Sequence, residues 1–237
     1  MKRFLLFFGY FTLVKSYAHK YTPLDPQQNK LDQLLQSNSI KIMCVTGAAG
    51  TGKTFLSCQE ALSQLQHRKK NKIVITRPLV LVENEELGFL PGDMNEKMLP
   101  WTMPILDSMK DFIEPSELKR LINEGKIEIS PLGYMRGRTF KNSFIILDEA
   151  QNTTPKQMKM FLTRIGQDSK MVINGDLQQS DICNDINGLE DFILRLKSKY
   201  KEEQHEMYKD GFGLVQLSPE NTYRNPIIKT VMQIYDN

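Results

Sequence analysis

The chain has 237 residues, a net charge of +3, 40% apolar residues and 25% charged residues. That length suits one domain, or one domain with an insertion, with a proper core, and so small a charge permits a basic patch without demanding nucleic acid. Three widely spaced cysteines, Cys44, Cys58 and Cys183, with no C-x-x-C pair argue against a zinc site or a disulfide framework and for reduced, buried thiols.

Residues 1–20, "MKRFLLFFGYFTLVKSYAHK", have a basic start, an apolar run from Phe4 to Val14, and small residues at Ser16 and Ala18. This is the shape of a targeting peptide cut after Ala18. A packed apolar segment and a disordered extension are the other readings. The run is shorter than the about 20 apolar residues that a bilayer-spanning helix takes, so no membrane span is expected. Residues 21–237 are expected to form the functional domain. The expected location is cytoplasmic, or an organelle or the secretory route if residues 1–18 are removed.

After a polar stretch, "YTPLDPQQN" (21–29), a short helix is expected over 30–37, with Leu31, Leu34 and Leu35 on one face. "IKIMCV" (40–45) then reads as a buried strand. A helix follows over 53–67, with Cys58, Ala61, Leu62 and Leu65 at i, i+3, i+4 and i+7. "NKIVITRP" (71–78) is a second strand, stopped by Pro78. Helices are expected near 96–113 and 115–124, and a short strand over 126–132. "FIILDEA" (144–150) is another core strand. Next comes a helix start with Thr154 as N-cap, Pro155 at the first turn and Gln157 completing a capping box. Gly166 is expected to stop that helix. Strands over 170–176 and 213–218 and helices over 188–200 and 226–235 complete the set. Near-continuous apolar strands alternating with helices predict an α/β fold: a mainly parallel sheet with helices on both faces. In such sheets ligands bind beyond the carboxyl ends of the strands.

The chemistry-bearing residues fall at those ends. Gly47, Ala48, Ala49, Gly50, Thr51, Gly52, Lys53 and Thr54 fit G-x-x-x-x-G-K-[ST] between a strand and a helix. Glycines let backbone N–H groups turn around an anion, and the following helix N-terminus adds positive potential. Lys53 would reach the β- and γ-phosphates of a nucleotide, and the Thr54 hydroxyl would hold Mg²⁺. The G-x-x-G-x-G spacing is not the dinucleotide fingerprint. Asp148 and Glu149 end a hydrophobic strand, where one acid can hold the metal and the other can orient and deprotonate a water. "INGDLQQ" (173–179) carries Asp176, Gln178 and Gln179, an amide source for sensing a γ-phosphate. Gln28 either reads an adenine edge or is a polar helix-start residue.

An ATPase also needs an arginine on the developing charge. The candidates are Arg77, Arg136, Arg138 and Arg224, any of which could instead contact nucleic-acid phosphates or form a plain salt bridge. "YMRGR" (134–138) sets Tyr134 beside two arginines and a glycine, a stacking and backbone-contact loop or, for Tyr134, core. Trp101 could stack a base, but its setting in an aromatic and methionine stripe reads rather as core. "HRKKNK" (67–72) is read as a solvated helix end.

These motifs and the text between them resemble the PhoH family of P-loop ATPases. The resemblance is carried by "VTGAAGTGKT" (45–54), "ITRPLV" (75–80), "LGFLPGDMNEKMLPW" (87–101), "ISPLGYMRGRTFKNSFIILDEAQNTTPKQMKMFLTRIG" (129–166) and "SKMVINGD" (169–176). It implies a RecA-like core similar to the superfamily-one helicase motor domain. It implies that Lys53 and Thr54 are the phosphate and metal residues, Asp148 and Glu149 the acidic pair, Gln179 the sensor and Arg224 a late arginine on the γ-phosphate. Leu177 stands where the family usually has proline, and "TYRNP" (222–226) replaces a more usual valine-arginine-histidine.

The expected activity is Mg²⁺-dependent ATP hydrolysis coupled to remodelling of, or movement on, single-stranded RNA or DNA. A single motor core would need a homo-oligomeric ring, such as a hexamer. The competing reading is an ATP-dependent switch or scaffold that recruits a protein partner with slow turnover. A small-molecule kinase would need an acceptor pocket and no Asp-Glu-Ala-Gln element.

Overall fold

The computed structural model describes residues 21–78, 103–181, 186–201, 203–218 and 234. Residues 1–20, the "LGFLPGDMNEKMLPW" stretch with Trp101, Cys183, Arg224 and, but for residue 234, the helix expected over 226–235 lie outside them.

Among the described residues six strands form one sheet: β1 (Ile42–Thr46), β2 (Lys72–Thr76), β3 (Ile127–Ile129), β4 (Ser143–Leu147), β5 (Lys170–Gly175) and β6 (Phe212–Gln216). Their order is β3-β2-β4-β5-β1-β6, and every pairing is parallel. The predicted apolar runs become strands because both their faces are covered. Along β1, Met43 and Val45 enter one core, while Ile42 and Cys44 enter the other.

The first core lies under α1 (Pro26–Gln36), α2 (Lys53–Gln66), the helical residues 103–110 (α3) and α4 (Pro115–Asn123). They contribute Leu31, Leu56, Ile105 and Leu118 to it. The second lies under α5 (Pro155–Leu162), α6 (Gly188–Tyr200) and α7 (Gln204–Lys209), which contribute Phe161, Phe192 and Met207. Cys44 and Cys58 are free, fully buried thiols. Burial pushes both above the ordinary thiol range, Cys44 to about 12.

The capping box of α5 forms as expected: Thr154 accepts from the Gln157 N–H, and Gln157 reaches back to the Thr154 N–H. Gly166, however, does not stop this helix, which ends at Leu162. Gly166 lies against another segment instead. Its N–H donates to Phe140 O at 2.7 Å, and an added Cβ would sit 2.4 Å from that same oxygen. Its glycine is required by close backbone approach. Among the described residues no helix is long and apolar enough to cross a membrane.

Candidate functional site

Because all strands run the same way, their carboxyl ends share one rim, and the loops after β1, β2, β4 and β5 meet there. The loop after β1 is the glycine-rich turn. Gly52, with φ 91° and ψ 10°, takes the left-handed conformation that launches α2. An added Cβ on Gly47 would lie 2.9 Å from the carbonyl of Leu217, at the end of β6. The turn is therefore packed tightly from behind. Thr51 is fully buried, and its hydroxyl donates to Ala48 O at 2.9 Å. The Lys53 ammonium donates to the carbonyls of Gly47 (2.6 Å) and Ala48 (2.9 Å), curling over the mouth of the turn.

Thr54 and Asp148 meet across the site: the hydroxyl donates to Asp148 Oδ1 at 2.7 Å. Asp148 is only 5% exposed. Burial, and behind it the Glu149 charge, push its carboxyl above the ordinary range, while Arg77, the Thr54 hydroxyl and Lys53 pull the other way. Arg77 follows β2. Its Nη2 lies 2.9 Å from Glu149 Oε1 and its Nε 3.6 Å from Asp148 Oδ2. Glu149 itself occupies the left-handed region at φ 53°, ψ 42°, a conformation that costs a non-glycine residue roughly 1–3 kcal/mol. Beneath the site, Ser57 donates to Asn174 Oδ1 at 3.2 Å, tying α2 to β5.

A buried carboxylate whose charge is only partly compensated, beside a hydroxyl, is a hard-oxygen donor pair of the kind Mg²⁺ takes together with substrate phosphates. The cradle and this pair therefore fit a Mg²⁺–nucleotide: Thr54 and Asp148 for the metal, Lys53 and the 47–54 backbone for the phosphates.

The other expected residues lie as follows. Gln179 is exposed, on the turn after β5, and its backbone carbonyl accepts from Gln151 Nε2 at 3.3 Å. Gln28 is fully buried beneath the turn: its Oε1 accepts from Leu24 N–H (2.8 Å) and its Nε2 donates to Thr51 O (3.2 Å). Reading a base edge would require that cover to open. Tyr134 is 61% exposed, on a single 3₁₀ turn after β3, and Arg136 beside it is exposed. Arg138 belongs elsewhere: it forks onto both oxygens of Glu128 and lies 4.6 Å over the Phe140 ring. Arg224 lies outside the described residues.

Gln151, which the sequence shows only as the end of the Asp-Glu-Ala-Gln element and without a role, is 1% exposed and bonded to Glu149. Its only sequence signal is its place two residues after the acidic pair. A cavity of about 410 Å³ between α1, α6, α7 and β6, with Lys30, Tyr200, Gln204 and Met207 in its wall, shares no residue with the cradle.

A RecA-like parallel sheet carrying this cradle and acidic pair defines a P-loop NTPase-type, nucleotide-binding chain. Comparison with known proteins narrows the class. The chain belongs to the PhoH family, whose model, described as "PhoH-like protein", matches residues 20–236. A PhoH-like protein of Synechocystis is 39% identical over 211 residues, covering 89% of this chain and 60% of the relative. One of Bacillus subtilis is 43% identical over 192 residues, covering 80% of this chain and 56% of the relative. The chain thus spans little more than half the length of these relatives. Among solved structures, the large terminase of a thermophilic bacteriophage superposes with a TM-score of 0.52 at 10% identity, over 90% of this chain and 50% of that one. That likeness concerns the fold alone.

Proposed function

We propose that residues 21–237 bind ATP with Mg²⁺ and hydrolyse it, coupling turnover to remodelling of, or movement on, single-stranded RNA or DNA. The observation that carries the reading is the Thr54–Asp148 bond at 2.7 Å, which sets a P-loop hydroxyl against a strand-end carboxylate, with Lys53 next in the chain and Glu149 at its side. Lys53 and the turn's N–H groups hold the phosphates, Thr54 and Asp148 hold the metal, and Glu149 orients and deprotonates the attacking water. Mg²⁺ supplies charge neutralisation on the phosphate oxygens. Gln179 serves as the γ-phosphate sensor, and Gln28 becomes a base-side contact only if nucleotide binding opens its bonds to Leu24 and Thr51. Arg77 or Arg224 supplies the late positive charge. Tyr134 and Arg136 offer a stacking face and a cation to the polymer. A homo-oligomeric ring, in which neighbouring copies complete composite sites, is part of this reading.

The test is steady-state ATP hydrolysis with and without single-stranded RNA and DNA, alongside Lys53→Ala and Glu149→Gln. The reading expects polymer-stimulated turnover that both substitutions remove. Turnover that no polymer stimulates removes the coupling. One observation favours the ATP-dependent switch: both Glu149 oxygens are already engaged, by Arg77 and Gln151. A switch keeps or strengthens its ATP-bound partner interaction in Glu149→Gln, whereas a motor loses its activity.

A further inference from the structure

We propose that Gln151 is a positioning residue: its side-chain amide sets the Glu149 carboxylate and locks it to the turn after β5, so that the two strand-end loops act as one body during turnover. The proposal rests on the ATPase reading above and adds to it a part that neither the P-loop nor the acidic pair supplies.

The bonding is specific. Gln151 Nε2 donates to Glu149 Oε2 at 2.7 Å and to the Gln179 carbonyl at 3.3 Å, while its Oε1 accepts from the Asp176 N–H at 3.0 Å. Both amide protons and the amide oxygen are thus used, in a side chain that is 1% exposed. The main chain adds to the tie. Ser180 Oγ donates to Gln151 O at 3.2 Å, and Asn152 and Asp181 exchange two bonds, at 2.9 and 3.0 Å. Gly175 makes room for the amide: an added Cβ there would lie 2.9 Å from Gln151 Oε1.

Glu149 needs such support. Its backbone is in the left-handed region, and a half-exposed carboxylate on a strained turn has several rotamers open to it. A general base must be held within hydrogen-bond reach of the water it activates. The amide fixes one oxygen and leaves the carboxylate its charge. Because the same amide holds the backbone of Asp176 and Gln179, any shift of the 176–180 turn on γ-phosphate binding or loss is passed directly to the base. Gln179 then needs no side-chain contact with Glu149 to influence it.

The test compares wild type, Gln151→Met and Gln151→Glu in the full chain, measuring kcat and KM for Mg²⁺-ATP, nucleotide-free melting temperature and ATP affinity, with Glu149→Gln as reference. Gln151→Met keeps the length and removes every polar contact of the side chain. Gln151→Glu keeps the acceptor for the Asp176 N–H but turns the donor to Glu149 into a repelling oxygen. The expected result is a kcat lowered roughly 10- to 100-fold in both, with KM and ATP affinity within about threefold of wild type. Gln151→Glu should be no better than Gln151→Met, although it keeps the tie to Asp176. A kcat within about twofold of wild type in Gln151→Met overturns the proposal. So does a loss carried by KM or by melting temperature, which marks a structural role only. Wild-type turnover that is absent, or indifferent to Glu149→Gln, sinks the ATPase reading itself and the proposal with it.

Discussion

Arg77 reaches both members of the acidic pair, 2.9 Å from Glu149 Oε1 and 3.6 Å from Asp148 Oδ2. Its side chain is 15% exposed, so this cation is the main local offset to two adjacent carboxylates at a buried strand end. Arg77→Ala should therefore destabilise the nucleotide-free protein by about 2 kcal/mol, the scale of a hydrogen bond between charged partners. Arg77→Lys should recover only part of this, because a point ammonium cannot address both acids as a fork does. Urea unfolding of the three proteins checks it. A lysine variant as stable as wild type would show that charge alone, without the fork, is what the site needs.

Asp148 is placed at a cost to the fold. It is buried and pushed toward protonation by burial and by Glu149, yet Thr54 needs from it only an acceptor oxygen. Asp148→Asn keeps that acceptor and removes the charge. The nucleotide-free variant should be more stable than wild type by about 1 kcal/mol, as is common when a functional group sits against the stability of its own fold. Mg²⁺-dependent nucleotide binding and turnover should be lost. Thermal melts, with nucleotide titrations with and without Mg²⁺, measure both. A variant that loses stability would mean the Asp148 charge supports the fold.

The parts of this architecture legible in the sequence are those whose cause is local. Strands such as Ile42–Thr46 and Ser143–Leu147 are buried along their whole length, and burial on both faces writes an unbroken apolar run. The cradle reads at once because its glycine spacing is itself the backbone geometry. The strand order is not legible, since parallel crossovers conceal which strands become neighbours. Gly166 reads as a helix stop because its true constraint is Phe140 O, a contact from another part of the chain. Arg138 reads equally as a catalytic arginine, a polymer contact or a plain salt bridge, because its carboxylate partner Glu128 sits on another element, β3, and only the fold brings the two together. Gln151 is legible as the end of the Asp-Glu-Ala-Gln element but not in its role, because glutamine is ordinarily a surface residue and only the fold shows it buried with its amide engaged. The six-residue α7 is too short to write a helical period.

Lys170 gives a pH test independent of the site. It is 4% exposed, and its ammonium donates to the carbonyls of Leu34 (3.2 Å), Leu35 and Ser37 (2.7 Å) at the end of α1. Burial pulls its pKa down to about 8, against some support from Glu60. Below about pH 8 it is protonated folded and unfolded alike, and its burial penalty is constant. Between about 8 and the unfolded value of 10.5 the unfolded chain binds more protons, so this residue's contribution to stability rises with pH. Wild type should therefore gain on Lys170→Met between pH 7 and pH 9.5 in chemical denaturation. A constant gap would refute the depressed pKa.

The loop after β3 separates two arginines that the sequence presents as equals. Arg136 and Tyr134 are exposed, whereas Arg138 is forked onto Glu128. If single-stranded nucleic acid crosses this rim, Arg136→Ala should weaken its binding and lower the slope of log K against log salt by about one, the signature of one lost phosphate contact. Tyr134→Ala should weaken binding by about 1–3 kcal/mol with the salt slope unchanged, because stacking releases no counterions. Arg138→Ala should leave the slope alone and cost at most about 1 kcal/mol of stability, its side chain being 39% exposed. Fluorescence anisotropy with a labelled oligonucleotide at several salt concentrations separates the three. A salt slope lowered by Arg138→Ala and not by Arg136→Ala would place the polymer on the opposite side of this loop, with the Glu128 pair opening to receive it.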